Sequence, residues 1–202
     1  MKVQPLILRR AYLTTKKIDF QCSAWKNGGL CQTKNLTIFL NSDPYSRPCL
    51  NLFGAQKQSL EVSPSGTWIK LEQENRNILP VNKESLLGNY SGVCIETPEL
   101  EKSFIYWQAK GFMGKLDEKT SWCSLKNKNG DLISLLKINC CPHLFTNPSL
   151  AFFNGSKNKT IIEHIKSLQL PIAQEVIFGR ETTADNLILN DPGGVGIFVF
   201  ND

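Results

Sequence analysis

Three stretches of the chain carry the same device. SPSGTWIKLEQ at 63–73, NKNGDLISLLK at 127–137 and NDPGGVGIFVF at 190–200 each set Pro or Asn in a turn, follow it with glycine, and run on into an apolar segment. Pro64, Asn129 and Pro192 suit restricted turn positions, and Gly66, Gly130 and Gly194 supply positive φ, so each copy predicts a turn feeding a closing strand. One such turn is commonplace. Aligned on Pro64, Asn129 and Pro192, the copies fall 65 and 63 residues apart, with one position of slack in the middle copy. Self-similarity on this scale decides the architecture before any single element does.

The residues ahead of each turn fill in the unit. GVCIET at 92–97 reads as a strand, and TPELEKSFIYWQAKGF after it as a helix: Thr97 suits the N-cap, Pro98 the first turn, and Leu100, Phe104 and Trp107 share one stripe. Gly111 supplies the stop. SWCSLKN and DLISLLKI then flank the turn at Gly130. The order recurs after residue 148: strand SLAFFN, then helix SKNKTIIEHIKSLQLP with Ile161, Ile162, Ile165 and Leu168 on one face, then strands QEVIFGRET, NLILN and VGIFVF. Each unit is βαβββ. The chain is thus expected to be α+β, with paired βαβββ units over 88–140 and 148–202. Residues 1–80 read as a β-rich, degenerate unit: AYLTT, IDFQCSA, NLTIFLN and CLNLFGA are strand-like, while the two glycines of WKNGGLCQTK count against a helix there. The polar, turn-rich ENRNILPVNKESLLGN is the expected linker.

Charge and cysteine narrow the function classes. The formal charge of +5 is spread along the chain with acids interleaved, so no basic stripe marks a nucleic-acid surface. The apolar run of MKVQPLILRR is too short for a signal-peptide core or a membrane span, and a cytoplasmic location is expected. Seven cysteines, an odd number without a secretory signal, point to free thiols. Cys140, Cys141 and His143 are the one cluster with a metal-like look, but adjacent cysteines of an extended chain point to opposite sides and no C-x-x-C accompanies them.

The stretches ETPELEKSFIYWQAKGF and NDPGGVGIFVF make residues 88–202 resemble the vicinal oxygen chelate family, which includes glyoxalase I, bleomycin-resistance proteins and extradiol dioxygenases; SPSGTWIKLEQ fits the closing turn as well. That resemblance implies two βαβββ units closing an eight-stranded, half-open cup around a central site. It also implies metal ligands, a His or Glu near the start of a unit's first strand and a Glu within its last. At those positions stand Gly92 and Ser149, and Lys70, Ser134 and Phe198. Glycine and phenylalanine offer no side-chain donor, serine is a poor ligand, and an ammonium repels a cation. The expectation is therefore no cofactor, with a divalent metal left open only through residues outside that pattern.

Strand alternation then selects the side chains facing the cup. Trp68, Lys70, Cys94, Glu96, Trp122, Ser134, Phe153 and Phe198 are the candidate ligand-binding residues, a mostly apolar and aromatic set with a few polar points, suited to a small organic molecule. Glu96 is the one candidate catalytic residue, as a general base. The leading expectation is a small-molecule-binding protein of the glyoxalase and bleomycin-resistance type. The alternatives are a lyase, isomerase or dioxygenase with unconventional site residues, and a dimeric interaction protein. An odd count of units leaves a strand edge to cover, so a homodimer is expected, with no nucleic-acid or membrane partner.

Overall fold

The computed structural model describes residues 2–8, 21–25, 28–32, 37–41, 48–73, 84–117, 119–179, 183–191 and 194–201, with backbone alone before residue 48 and at 190. They form two sheets. The C-terminal one contains β8 (Tyr90–Thr97), β9 (Met113–Gly114), β10 (Trp122–Lys126), β11 (Leu132–Lys137), β12 (Ser149–Phe153), β13 (Ile172–Val176), β14 (Asn186–Asn190) and β15 (Gly196–Phe200). Their order is β13-β14-β15-β12-β8-β11-β10-β9. In each half the opening strand lies parallel to the closing one, β8 to β11 and β12 to β15, and the two opening strands meet antiparallel at the centre. A parallel pair needs a crossover, and helices α1 (Leu100–Ala109) and α2 (Asn158–Ser167) lie in the two crossovers. This is the expected pair of βαβββ units around a half-open, mixed sheet.

Local chemistry explains these elements. The Thr97 hydroxyl accepts a hydrogen bond from Glu99 N at 3.2 Å and pairs with Ser103 Oγ at 2.7 Å, fastening the start of α1 to the end of β8. Leu100 and Trp107 are buried on one stripe of α1, and Ile162 and Ile165 on one stripe of α2. Gly111, at φ 86°, ends α1 by donating to Gln108 O.

The three repeated turns have one geometry. Gly66, Gly130 and Gly194 each donate to the residue three before them, Ser63, Asn127 and Asp191, at 2.9 to 3.0 Å, and each takes φ between 80° and 89°. Ser63, Asn127 and Asp191 donate in turn to Thr67, Asp131 and Val195 at 2.9 to 3.0 Å. This is the hairpin turn that closes on a left-handed glycine bulge. Aligned on hydrogen bonds, the copies are spaced by 64 residues twice (130 − 66 and 194 − 130), so the slack suggested by the Pro/Asn alignment disappears. The glycine, not the proline, is the invariant of the device.

The N-terminal sheet holds β1 (Lys2–Leu8), β2 (Gln21–Trp25), β3 (Gly28–Gln32), β4 (Thr37–Asn41), β5 (Cys49–Phe53), β6 (Ser59–Val62) and β7 (Trp68–Glu72), in the order β2-β3-β4-β1-β5-β7-β6. The plan of the other sheet recurs here twice: β1 is parallel to β4, β5 is parallel to β7, and β1 meets β5 antiparallel. Residues 2–72 thus hold two half-units where the turn repeat counts one. The second is abbreviated, because the five residues between Phe53 and Ser59 are too few for a helix and a further strand. The apolar run at the start of the chain is β1, inside this sheet. WKNGGLCQTK supplies β3, and AYLTT lies outside the described residues.

The sheets share a core. Leu50, Leu52 and Ile69 of the N-terminal sheet, all fully buried, join one cluster with Val93, Ile95, Trp107, Leu135 and Phe152 of the C-terminal one. Glu61 of β6 accepts a 2.7 Å hydrogen bond from Tyr106 Oη of α1 and forms an ion pair with Lys110, the residue that caps the C-terminus of that helix. No helix among the described residues is long and apolar enough to cross a membrane.

Candidate functional site

On β8, Val93 and Ile95 join the shared core and Cys94 lies on the opposite face, in a second cluster with Ala151, Ile188 and Phe198. Register carries the parity across the sheet: Cys94 is opposite both Ser134 and Ser149, and Ala151 is opposite Phe198. Six of the candidate residues, Cys94, Glu96, Trp122, Ser134, Phe153 and Phe198, therefore stand on one face, as alternation requires. Trp68 and Lys70 do not join them. They lie on β7 of the other sheet, opposite Cys49 and Asn51, and Lys70 is held by Glu72 at 2.8 Å. The repeat places these two correctly within their own unit, but pairing between distant strands puts that unit in a different sheet.

The cup face has two halves of different chemistry. Phe198 and Phe200 stack at 5.1 Å, with Phe153 beside Phe200 at 6.3 Å. The connector between β11 and β12 folds onto these rings: Phe145 meets Phe198 edge-on at 5.0 Å, and the His143 imidazole meets Phe198 and Phe200 at 5.3 and 5.0 Å. His143 and Phe145 are thus cup residues, which strand alternation did not select because they lie on a connector. Three polar ties seat the segment. Asn139 N donates to the Glu96 carboxylate at 2.8 Å, Asn147 Nδ2 to Glu96 O at 2.9 Å, and Leu144 N to Gln174 Oε1 at 2.7 Å. Glu96, the candidate base of the sequence reading, thus ties down the cover through its carboxylate and its carbonyl.

The other half carries hydroxyls and a thiol. Ser124 and Ser134 bond each other at 3.1 Å. Burial first, and then the neighbouring Cys141, push the Cys94 thiol up to about 12. Burial, followed by Cys140 and then Glu96, likewise holds Cys141 near 12. All five cysteines whose side chains are described are free. Trp122 stands at the rim, 56% exposed, beside an open groove of about 760 Å³ bordered by Lys115, Leu116, Lys119 and Thr120.

A divalent cation finds no matching donor set at the implied positions. A Cβ built at Gly92 would lie 2.5 Å from Leu132 O, so no larger side chain fits there without backbone movement. The Ser149 hydroxyl is spent on Thr146 O, and Phe198 is inside the ring stack. Among the described residues, no three His, Cys, Asp or Glu side chains gather as a metal site.

Paired half-units with parallel opening and closing strands, antiparallel at the centre and curved into a cup, define the vicinal oxygen chelate fold, and this chain has it. No protein-family model and no curated protein matches the sequence. Solved structures do match. Homoprotocatechuate 2,3-dioxygenase from Brevibacterium fuscum, in its anaerobic complex with 3,4-dihydroxyphenylacetate, is similar with a TM-score of 0.62 at 12% identity, over 97% of this chain and 78% of that one. The enzyme of the same name from Arthrobacter globiformis gives 0.61 at 12% identity, over 97% and 77%. A xylose isomerase-like TIM barrel/4-hydroxyphenylpyruvate dioxygenase fusion protein gives 0.53 at 11%, over 97% of this chain and 47% of that one. At these identities the likeness is one of fold.

Proposed function

We propose that this chain is a small-molecule-binding protein that uses the vicinal oxygen chelate fold without a bound metal, its ligand held against the concave face of the C-terminal sheet. The observation that supports this most directly is the composition of that face: aromatic rings in one half, hydroxyls and a thiol in the other, and at the implied ligand positions a glycine with no room for a side chain, a hydroxyl already bonded, and a ring. Apolar walls with a few fixed polar points are how small organic molecules are usually held. The cover over the aromatic half is a connector rather than a strand, so ligand entry there requires its ties at Glu96 and Gln174 and its ring contacts with Phe198 and Phe200 to open. Dioxygenase, lyase or isomerase chemistry has less support, since Glu96, the one acid expected on that face, holds the connector.

The test is elemental analysis of the purified protein together with a calorimetric screen of small aromatic and aliphatic compounds. Saturable one-to-one binding by protein without stoichiometric metal is the expected result. Stoichiometric iron, manganese, nickel or zinc that activates turnover would sink the proposal in favour of an enzyme.

One observation favours a homodimer as well. Among the described strands, β6 ends its sheet, and its Leu60 and Val62 are 59% and 51% exposed, an edge suited to pairing with a second copy. Light scattering at micromolar concentration should give twice the 22.7 kDa chain mass, and a monomer there would refute it.

A further inference from the structure

The groove beside Trp122 lies at the β10–β9 end of the sheet, away from the covered aromatic half of the cup. It lies where β9 ends: among the described residues β9 pairs with Leu125 and Lys126 of β10, and Trp122, Cys123 and Ser124 further along β10 border Lys115, Leu116, Asp117, Lys119 and Thr120. A volume of about 760 Å³ falls within the range of sites for small organic molecules. Three features fix the chemistry. The Trp122 indole is largely exposed and lines the groove. Lys115 and Lys119 border the same space, and no ion pair engages either of them among the described residues. Leu116 adds apolar surface, while Thr120 and Ser124 add hydroxyls. Among the described lining residues the acid is Asp117, whose Oδ1 accepts from Lys119 N at 2.9 Å.

We infer that this groove binds a flat aromatic anion, its ring on Trp122 and its phosphate or carboxylate between Lys115 and Lys119. A neutral aromatic would forgo the two ammonium groups, and a non-aromatic anion would forgo the stack. The inference rests on reading the chain as a small-molecule binder, but moves the ligand from the covered cup to the open edge of the sheet.

Titrations of the full chain with 1-naphthyl phosphate, 2-naphthoate and neutral 2-naphthol test it, by calorimetry and by quenching of tryptophan emission. Saturable one-to-one binding of an anionic probe is expected, at least tenfold tighter than 2-naphthol and weakening as salt rises. The phosphate and carboxylate arms show which anion the two lysines prefer. Trp122→Ala and the double substitution Lys115→Gln/Lys119→Gln should each weaken binding by about tenfold, while Trp122→Phe restores most of the loss. All of these positions are exposed, so the variants should keep the parent's thermal midpoint. If affinity survives both variants and is lost instead in the cup variant Phe145→Leu, the groove assignment is overturned while the general binding reading stands. If none of the probes binds saturably, the groove assignment is likewise overturned, and the compound screen alone decides the broader reading.

Discussion

Gly92 shows how one residue decides what a cup can hold. It stands where the fold's relatives are expected to place a ligand to metal, yet the carbonyl of Leu132 occupies the space a side chain would need. Gly92→Ala should therefore destabilise the fold by about 1–3 kcal/mol through overpacking, read from the denaturant midpoint; a change under about 0.5 kcal/mol would show that the strands can part. Cys94, two residues on, is legible as a cup residue from alternation alone, but its protection is not, because that comes from the folded connector. With burial holding its thiol near 12, Cys94 should resist iodoacetamide at pH 8 in the folded protein and react on unfolding, as peptide mass spectrometry would show. Glu96 was readable in position, but its tie to the connector was not. Its partner Asn139 lies 43 residues away, a separation at which no local pattern speaks.

Among the elements, the hairpin turns are the part of the fold written most plainly in the sequence, since a four-residue turn with a left-handed fourth position is set by its own residues. Gly130 tests this cleanly. At φ 89° a Cβ there would approach nothing closer than Lys126 Cε at 3.8 Å, so Gly130→Ala isolates the backbone cost of that conformation. The expected loss is about 1–2 kcal/mol in thermal or chemical denaturation. Both helices were equally legible, their stripes and stops being periodic signals over ten residues. The strands before residue 48 were harder: the apolar run of β1 is short and β3 is rich in glycine, so neither carries a clear strand signal. The abbreviated half-unit β5–β7 kept its closing turn and lost its crossover helix, which hid it inside a single degenerate unit.

At the scale of the molecule, the shared core leads us to expect the two sheets to unfold together. Leu50→Ala or Ile69→Ala should cost about 2–5 kcal/mol and shift a single transition, seen alike by circular dichroism and tryptophan emission, rather than melt the N-terminal sheet alone. The Glu61 contacts with Tyr106 and Lys110 span the same boundary. Burial works to raise the Glu61 carboxyl, but the hydrogen bonds from Lys110 and Tyr106 and the Lys110 charge outweigh it, so its value lies below the ordinary 4.5. A carboxyl lowered by folding adds stability above its unfolded value and loses it as pH falls through the folded one. Stability should thus decline below about pH 4.5, and Glu61→Gln should flatten that acid limb while lowering stability at neutral pH; an unchanged acid limb would show that the contact carries no charge coupling.

What the sequence determined by itself is the unit: a glycine-closed turn, strand parity and two amphipathic helices, each decided by residues within reach of one another along the chain. Only the tertiary structure decided which units share a sheet, that Trp68 and Lys70 belong to a different sheet from Cys94, that His143 and Phe145 cover the aromatic half of its cup, and that an acid on β6 ties down α1. The physical reason is range. Turn and periodicity signals act over a few residues, whereas register between distant strands and the seating of a connector follow from packing the whole apolar surface at once.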